Sequence, residues 1–196
     1  MNISAVVMAS GLSKRMNQNK LHMKINDKKI YEYILDTVKF VSCFKEVVVV
    51  AKDIEILHRA TNLGFKAVKN DYSHLGQSAS IKLGIENIEK GDGYMFFVAD
   101  QPFMTENTIK KLCVIFSDNP NKIIVPSFNG INKNPVIFPK SLKKELLNIQ
   151  GDIGGRAVIK NNQEYVLRVP INYENEFIDI DTFEDYENLS KMKVFK

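Results

Sequence analysis

The feature that most limits this chain is a regular alternation of buried-strand and helical signals running from its N-terminus. Residues 3–8 (ISAVVM) form a continuous apolar, β-branched run of strand length, the pattern of a strand covered on both faces of a parallel sheet. Ile30, Tyr33, Ile34, Val38 and Val41 then follow the three-and-four spacing of one helical face. Strands over residues 47–51, 65–68, 94–99 and 123–126 alternate with helices over 54–62, 78–88 and 106–116. Such repetition predicts an α/β fold with right-handed crossovers, a mostly parallel sheet and helices on both faces. Beyond residue 126 the pattern loosens into strands over 136–138 and 165–170, short helices over 142–147 and 154–160, and a closing helix over 183–191. We expect one domain spanning 1–196, whose later half adds a subregion for a second substrate.

Composition narrows the class further. A chain of 196 residues buries roughly 70% of its unfolded surface, enough for a core without disulfides or a structural metal. The 27 Lys and Arg against 23 Asp and Glu leave a net charge of +4, too mild to point to nucleic acid as a partner. Cys43 and Cys113 lie far apart in sequence, in apolar helical patterns without metal-ligand spacing, and read as reduced core thiols. The first apolar run is too short for a signal-peptide core or a membrane span, so the expectation is a cytoplasmic protein with no membrane partner.

The chemistry points to the first loop. Strand-to-helix connections usually take about 2–6 residues, yet residues 9–29 separate the first strand from the first helix. Ala9, Ser10 and Gly11 are small enough to let backbone N–H groups approach a phosphate, and Lys14, Arg15 and Lys20 can neutralise a polyphosphate. From residue 14 to 29 there are five Lys and one Arg against Asp27 alone. Neither GxxxxGK[ST] nor GxGxxG occurs here, so a different phosphate-binding loop is required; a basic solvated loop is the plainer alternative.

Two acidic segments stand elsewhere. Asp100 follows the buried strand over 94–99, at the carboxyl end where open α/β sheets bind ligands. Ile178, Asp179, Ile180 and Asp181 alternate, so an extended backbone puts both aspartates on one face. Acids from two such segments can share Mg2+, which takes one or two carboxylates plus water and phosphate oxygens; taken singly, each reads more readily as a helix N-cap, and the joint reading rests on their company with the basic loop. The stretches GQSASI at 76–81 and GDIGGR at 151–156 can present hydroxyls, amides and a guanidinium to a ligand, or merely cap and turn. His22, His58 and His74 show no ligand spacing, and no Ser/His/Asp or Cys/His set indicates a covalent intermediate.

Taken in order, these segments resemble the MobA-like nucleotidyltransferases, and within them the molybdenum cofactor cytidylyltransferases. The family's opening pattern LAAGxSxRMGxxK is matched by MASGLSKRMNQNK at 8–20, its GxSxSL by 76–81, its ADQP by 99–102, its GxxGAR by 151–156 and its DIDTPEDY by 179–186. The resemblance covers nearly the whole chain. It implies a Rossmann-like nucleotide-diphospho-transferase fold with a nucleotide-binding half (about 1–110) and an acceptor-binding half (about 111–196). It also implies transfer of CMP from CTP to the phosphate of molybdenum-bound molybdopterin, with release of pyrophosphate. Carried over by position, Gly11, Arg15 and Lys20 hold the triphosphate, Ala9, Ser10, Gly76 and Ser80 face the nucleoside, and Asp100 with Asp181 holds Mg2+, or Mn2+ in its place. Arg15, Lys20 and Asp100 are the catalytic set by this resemblance, Asp179 a supporting acid, and Asn134 and Arg156 the acceptor contacts, with Lys133 a further basic candidate. A molybdoenzyme or its chaperone would receive the product.

The departures from the family pattern are Ser10 for the second Ala, Asn17 for Gly, Asn134 for the His before Pro135, and Phe183 for Pro. Guanylyl-transferring relatives tend to carry a second Gly at the Ser10 position and to lack ADQP, which favours CTP. Three other readings stay open: a GTP-dependent molybdopterin guanylyltransferase, nucleotidyl transfer to another phosphorylated acceptor, and a non-catalytic nucleotide- or cofactor-binding chaperone. A nicotinamide oxidoreductase is disfavoured by the missing glycine fingerprint.

Overall fold

The computed structural model describes residues 1–11 and 19–191. Its strands are β1 (Ile3–Ala9), β2 (Lys24–Ile25), β3 (Lys28–Lys29), β4 (Phe44–Ala51), β5 (Lys66–Lys69), β6 (Gly93–Val98), β7 (Ile123–Phe128), β8 (Ile131–Asn132), β9 (Val136–Pro139) and β10 (Val166–Pro170). Its α-helices are α1 (Ile30–Phe40), α2 (Ile54–Asn62), α3 (Gln77–Glu86), α4 (Glu106–Asp118), α5 (Lys143–Asn148), α6 (Arg156–Asn161) and α7 (Phe183–Lys191). None of the described helices is long and apolar enough to cross a membrane.

The main sheet runs β10-β7-β9-β6-β1-β4-β5, with β8 folded back on β7. β1 pairs in parallel with both β4 and β6, β4 with β5, and β7 with β10. The mostly parallel α/β arrangement is thus as the alternation predicts. β9 departs from it, running antiparallel between β6 and β7. A short apolar run such as VIFP carries no signal of strand direction, so the repetition that predicts parallel neighbours stops being informative there.

Side chains of β1 separate the two layers. Ala5 and Val7 join a cluster with Ile34 and Leu35 of α1, Ile56 of α2 and Leu112 and Phe116 of α4. Val6 faces the other way, toward Ile81 and Ile85 of α3, Leu146 of α5 and Val158 of α6. Because both layers are helical, β1 is sealed on both faces, and Ala5, Val6 and Val7 have no exposed surface.

Two small hairpins were hidden in stretches that read as loops. Asn26 and Asp27, at φ 48° and 63°, turn β2 into β3, and Asn129 with Gly130, at φ 48° and 78°, turns β7 into β8. Left-handed residues at both turn positions match the right-handed twist of a hairpin, which is why Asn, Asp and Gly occupy them. Cys43 sits in the turn before β4 and not in a helix; its Sγ lies 2.6 Å from that of Cys113 in α4, both as free thiols. The hydrogen bond from Cys113 lowers the Cys43 pKa, while that same bond and burial raise the Cys113 pKa.

Candidate active site

β1, β4 and β6 all deliver their carboxyl ends to one edge of the sheet, and the chemistry-bearing loops collect there. Ala9 is still in the sheet, paired with Ala51. Ser10 is buried, and its hydroxyl donates to the Val50 carbonyl at 3.2 Å. Gly11 is exposed, and a Cβ built there would meet nothing within 4 Å, so its backbone is open to a ligand. Lys14 and Arg15 lie outside the described residues. The chain returns in a single 3-10 turn at Lys20–His22, where the Asn19 side chain accepts from the Leu21 N–H. His22, to which the sequence assigns no role, ties this turn down by contacts of 2.8 Å to Asp53 and 3.4 Å to Glu55.

Lys20 is the centre of the site. Only 8% exposed, it places its ammonium 2.6 Å from Asp100 Oδ2 and 2.9 Å from Asp181 Oδ1. Burial alone would lower its pKa, but the two carboxylates outweigh that and hold it above the ordinary lysine value. The capping alternative fails for both acids. α4 is capped by Thr105, whose hydroxyl accepts from Thr108 N, and α7 opens on a reciprocal pair in which Asp185 accepts from Thr182 N while Thr182 Oγ1 accepts from Asp185 N. Asp100 and Asp181 therefore face Lys20.

Two bonds hold the acidic segments in register: Ile180 N–H donates to the Asp100 carbonyl at 3.2 Å, and Gln101 Nε2 donates to Asp179 Oδ1 at 2.9 Å. Ile180 is buried while Asp179 and Asp181 are exposed, the alternation the sequence predicts, although no strand is formed. Although Asp179 keeps exposed surface, its carboxyl meets the buried Gln101 amide, and partial loss of hydration there, then the negative charges of Asp100 and Asp181, push it up to about 6.

A divalent cation suits this arrangement. Asp100 Oδ1 is a buried oxygen with no hydrogen-bond partner among the described residues, and an ammonium already stands between the two carboxylates. Among the described residues no group of three or more His, Cys, Asp and Glu could hold a metal unaided. Two hard oxygen donors that need phosphate and water to complete the shell fit Mg2+ or Mn2+ and not a structural zinc site.

The opposite wall is built from α3 and the turn Gly151–Ile153. Gly76 has φ +89°, and a Cβ there would stand 2.7 Å from the Gly151 backbone, so the two segments touch main chain to main chain. Asp152 Oδ1 accepts from Gln77 N and locks the pair. Asp152, not Ser78, is thus the side chain that meets an orphan amide at the start of α3, while Ser78 is buried. Ser80 lines the cleft, and its Oγ accepts from the Nδ2 of fully buried Asn70 at 3.1 Å.

These walls enclose a cleft of about 640 Å3. Of the residues predicted from sequence, Ser10, Gly11, Lys20, Gly76, Ser80, Asp100, Arg156 and Asp181 line it. Ala9 instead borders a smaller recess with Ser10, Gly11, Lys52 and Asp53. Asn134, half-buried before a cis bond to Pro135, does not line the cleft; nor does Lys133. Asn70, Gln101 and Asp152 were missed as individual positions, because each is a loop polar residue whose partner comes from a distant segment.

Residues 5–166 match the model of the MobA-like NTP transferase domain. A relative from Natranaerobius thermophilus named a probable molybdenum cofactor guanylyltransferase is 28% identical, across 97% of this chain and 96% of its own length. The purine catabolism protein PucB of Bacillus subtilis is 27% identical, across 93% of each chain. Among solved structures, Rv0371c from Mycobacterium tuberculosis superposes with a TM-score of 0.81 at 20% identity, covering 98% of this chain and 99% of its own. Rv0371c has also been solved in complex with manganese.

Proposed function

Because the chain belongs to the MobA-like NTP transferase family and is a nucleotidyltransferase, we propose that it moves CMP from CTP to the phosphate of molybdenum-bound molybdopterin, releasing pyrophosphate. It does so in the cytoplasm and passes the product to a molybdoenzyme or its chaperone. The observation that carries the choice of nucleotide is the Asn70–Ser80 pair. Since Ser80 Oγ accepts from Asn70, its own proton is left to donate into the cleft. Cytosine offers O2 and N3 as adjacent acceptors, whereas the corresponding edge of guanine is dominated by its N1 and N2 donors. Ser10, where guanylyl-transferring relatives tend to carry Gly, fills space beside the same floor.

The attacking phosphate is already anionic, so the reaction needs positioning and charge neutralisation and no general base. Gly11, Lys20 and Arg15 receive the triphosphate, Gly76 and Ser80 the nucleoside, and Arg156 the anionic acceptor. Asp100 and Asp181 would hold Mg2+ or Mn2+, which neutralises charge developing on the transferring and leaving oxygens. Asp179 and Gln101 keep the two ligand segments aligned. A second reading, GTP-dependent guanylyl transfer, is favoured by the name of the Natranaerobius relative.

The test is pyrophosphate release with each of CTP, GTP, ATP and UTP, in the presence of Mg2+ and molybdenum-loaded molybdopterin. Release with CTP that drops by about a hundredfold or more in Asp100→Ala supports the proposal. Preference for GTP moves the assignment to guanylyl transfer, and silence with all four despite nucleotide binding points to another acceptor.

A further inference from the structure

We propose that Lys20 is the resident counter-ion of the acid pair, which keeps a free divalent cation out until a nucleoside triphosphate draws the ammonium away, so that metal is admitted with the nucleotide and not before. This rests on the reading of Asp100 and Asp181 as the metal ligands.

The ammonium lies between the two oxygens that a metal would need, at 2.6 and 2.9 Å. An arriving divalent ion must displace it, because two cations that close repel strongly in a partly buried site. A bare ion offers the displaced ammonium no new counter-charge, and moving a charge to a place without one is costly. A triphosphate lying along Ser10 and Gly11, across the same cleft, supplies that counter-charge. Only the side chain has to swing, since the backbone of the Lys20–His22 turn is fixed by the Asn19 cap, the buried Leu21 and the His22 contact with Asp53. Asp100 Oδ1 has no partner among the described residues while Lys20 is in place, so the acid pair retains a coordination site that the ammonium does not satisfy. Nucleotide and metal binding are therefore positively coupled, and the coupling is reciprocal.

Mn2+ binding to the full chain, read from the electron paramagnetic resonance signal of the free ion, tests this. Without nucleotide, wild type should bind Mn2+ weakly, and Lys20→Met and Lys20→Gln should each bind it about tenfold more tightly or better. Asp100→Asn placed in either background should remove that gain. CTP without acceptor, with GTP in parallel, should tighten Mn2+ binding in wild type. Circular dichroism identifies which Lys20 variant is folded, and the folded one decides the matter. If the Lys20 variants bind Mn2+ no better than wild type, while nucleotide-supported binding still depends on Asp100, the counter-ion role is overturned and the metal assignment stands. If nucleotide-supported binding ignores Asp100→Asn, the metal assignment falls and the counter-ion role with it.

Discussion

A single amide decides which way the Ser80 hydroxyl points. Asn70 is fully buried, gives its Nδ2 to Ser80 and takes the Tyr72 N–H on its Oδ1, so it cannot rotate without losing a bond. Asn70→Ala should raise KM for CTP about tenfold while leaving kcat near wild type, a split that steady-state kinetics resolves. Asp53 is a second residue with a separable effect. Its carboxylate caps α2, and although burial opposes ionisation, the Glu55 N–H and then His22 hold its pKa below the ordinary 3.8. A carboxyl lowered in the fold adds stability above its ordinary value and gives it up as pH falls through the lowered one. Asp53→Ala should therefore cost about 1 kcal/mol near neutrality, and urea unfolding as the pH is taken down below 3.8 should show the difference from wild type shrinking. Asp100 and Asp181 were legible as candidates because each ends a strand-like run. Of the two readings that sequence leaves open for them, the cap is removed by Thr105, Thr182 and Asp185, which do the capping. Asn70 had no comparable signal: an Asn after a short strand is ordinary turn chemistry, and its partner lies in the next helix.

At the scale of elements, the far wall depends on glycine at a contact. Gly76→Ala puts a Cβ against the Gly151 backbone at a φ that side chains rarely adopt, and should lower stability by about 1–3 kcal/mol in thermal unfolding. Gly11→Ala is the matched control, for its Cβ meets nothing: its unfolding should stay within about 0.5 kcal/mol of wild type while KM for CTP rises through lost approach of the phosphates. The parallel units β1-α1-β4-α2-β5-α3-β6 were legible because β1, β4 and β6 carry continuous apolar runs and α1 and α2 each keep one apolar face, even though β5 is only KAVK. The Asn129–Gly130 pair carries a recognisable two-residue turn signal, but the strand that follows it, β8, is only two residues long and has no alternation of its own. The direction of β9 was not legible, since it follows from pairing with β6 and β7 and from nothing within its own four residues.

Across the whole molecule, the cleft joins segments from both ends of the chain, and ligands that bridge them should stabilise the fold. CTP with Mg2+ at about a hundredfold over Kd should add about 2.7 kcal/mol of unfolding free energy, and Asp181→Asn should forfeit the Mg2+-dependent share, both read by calorimetry. The pairing of Lys20 with an acid 161 residues further on also has a meaning for synthesis. When the ribosome has released β6, the nascent chain possesses Lys20 and Asp100 but neither Asp181 nor the Gly151 wall. A product interrupted there thus carries Ser10, Gly11 and Lys20 without the second acid that Lys20 meets. The pairing waits until Asp181 has been made, and fragments from ribosomes stalled before it hold only half of the acid pair.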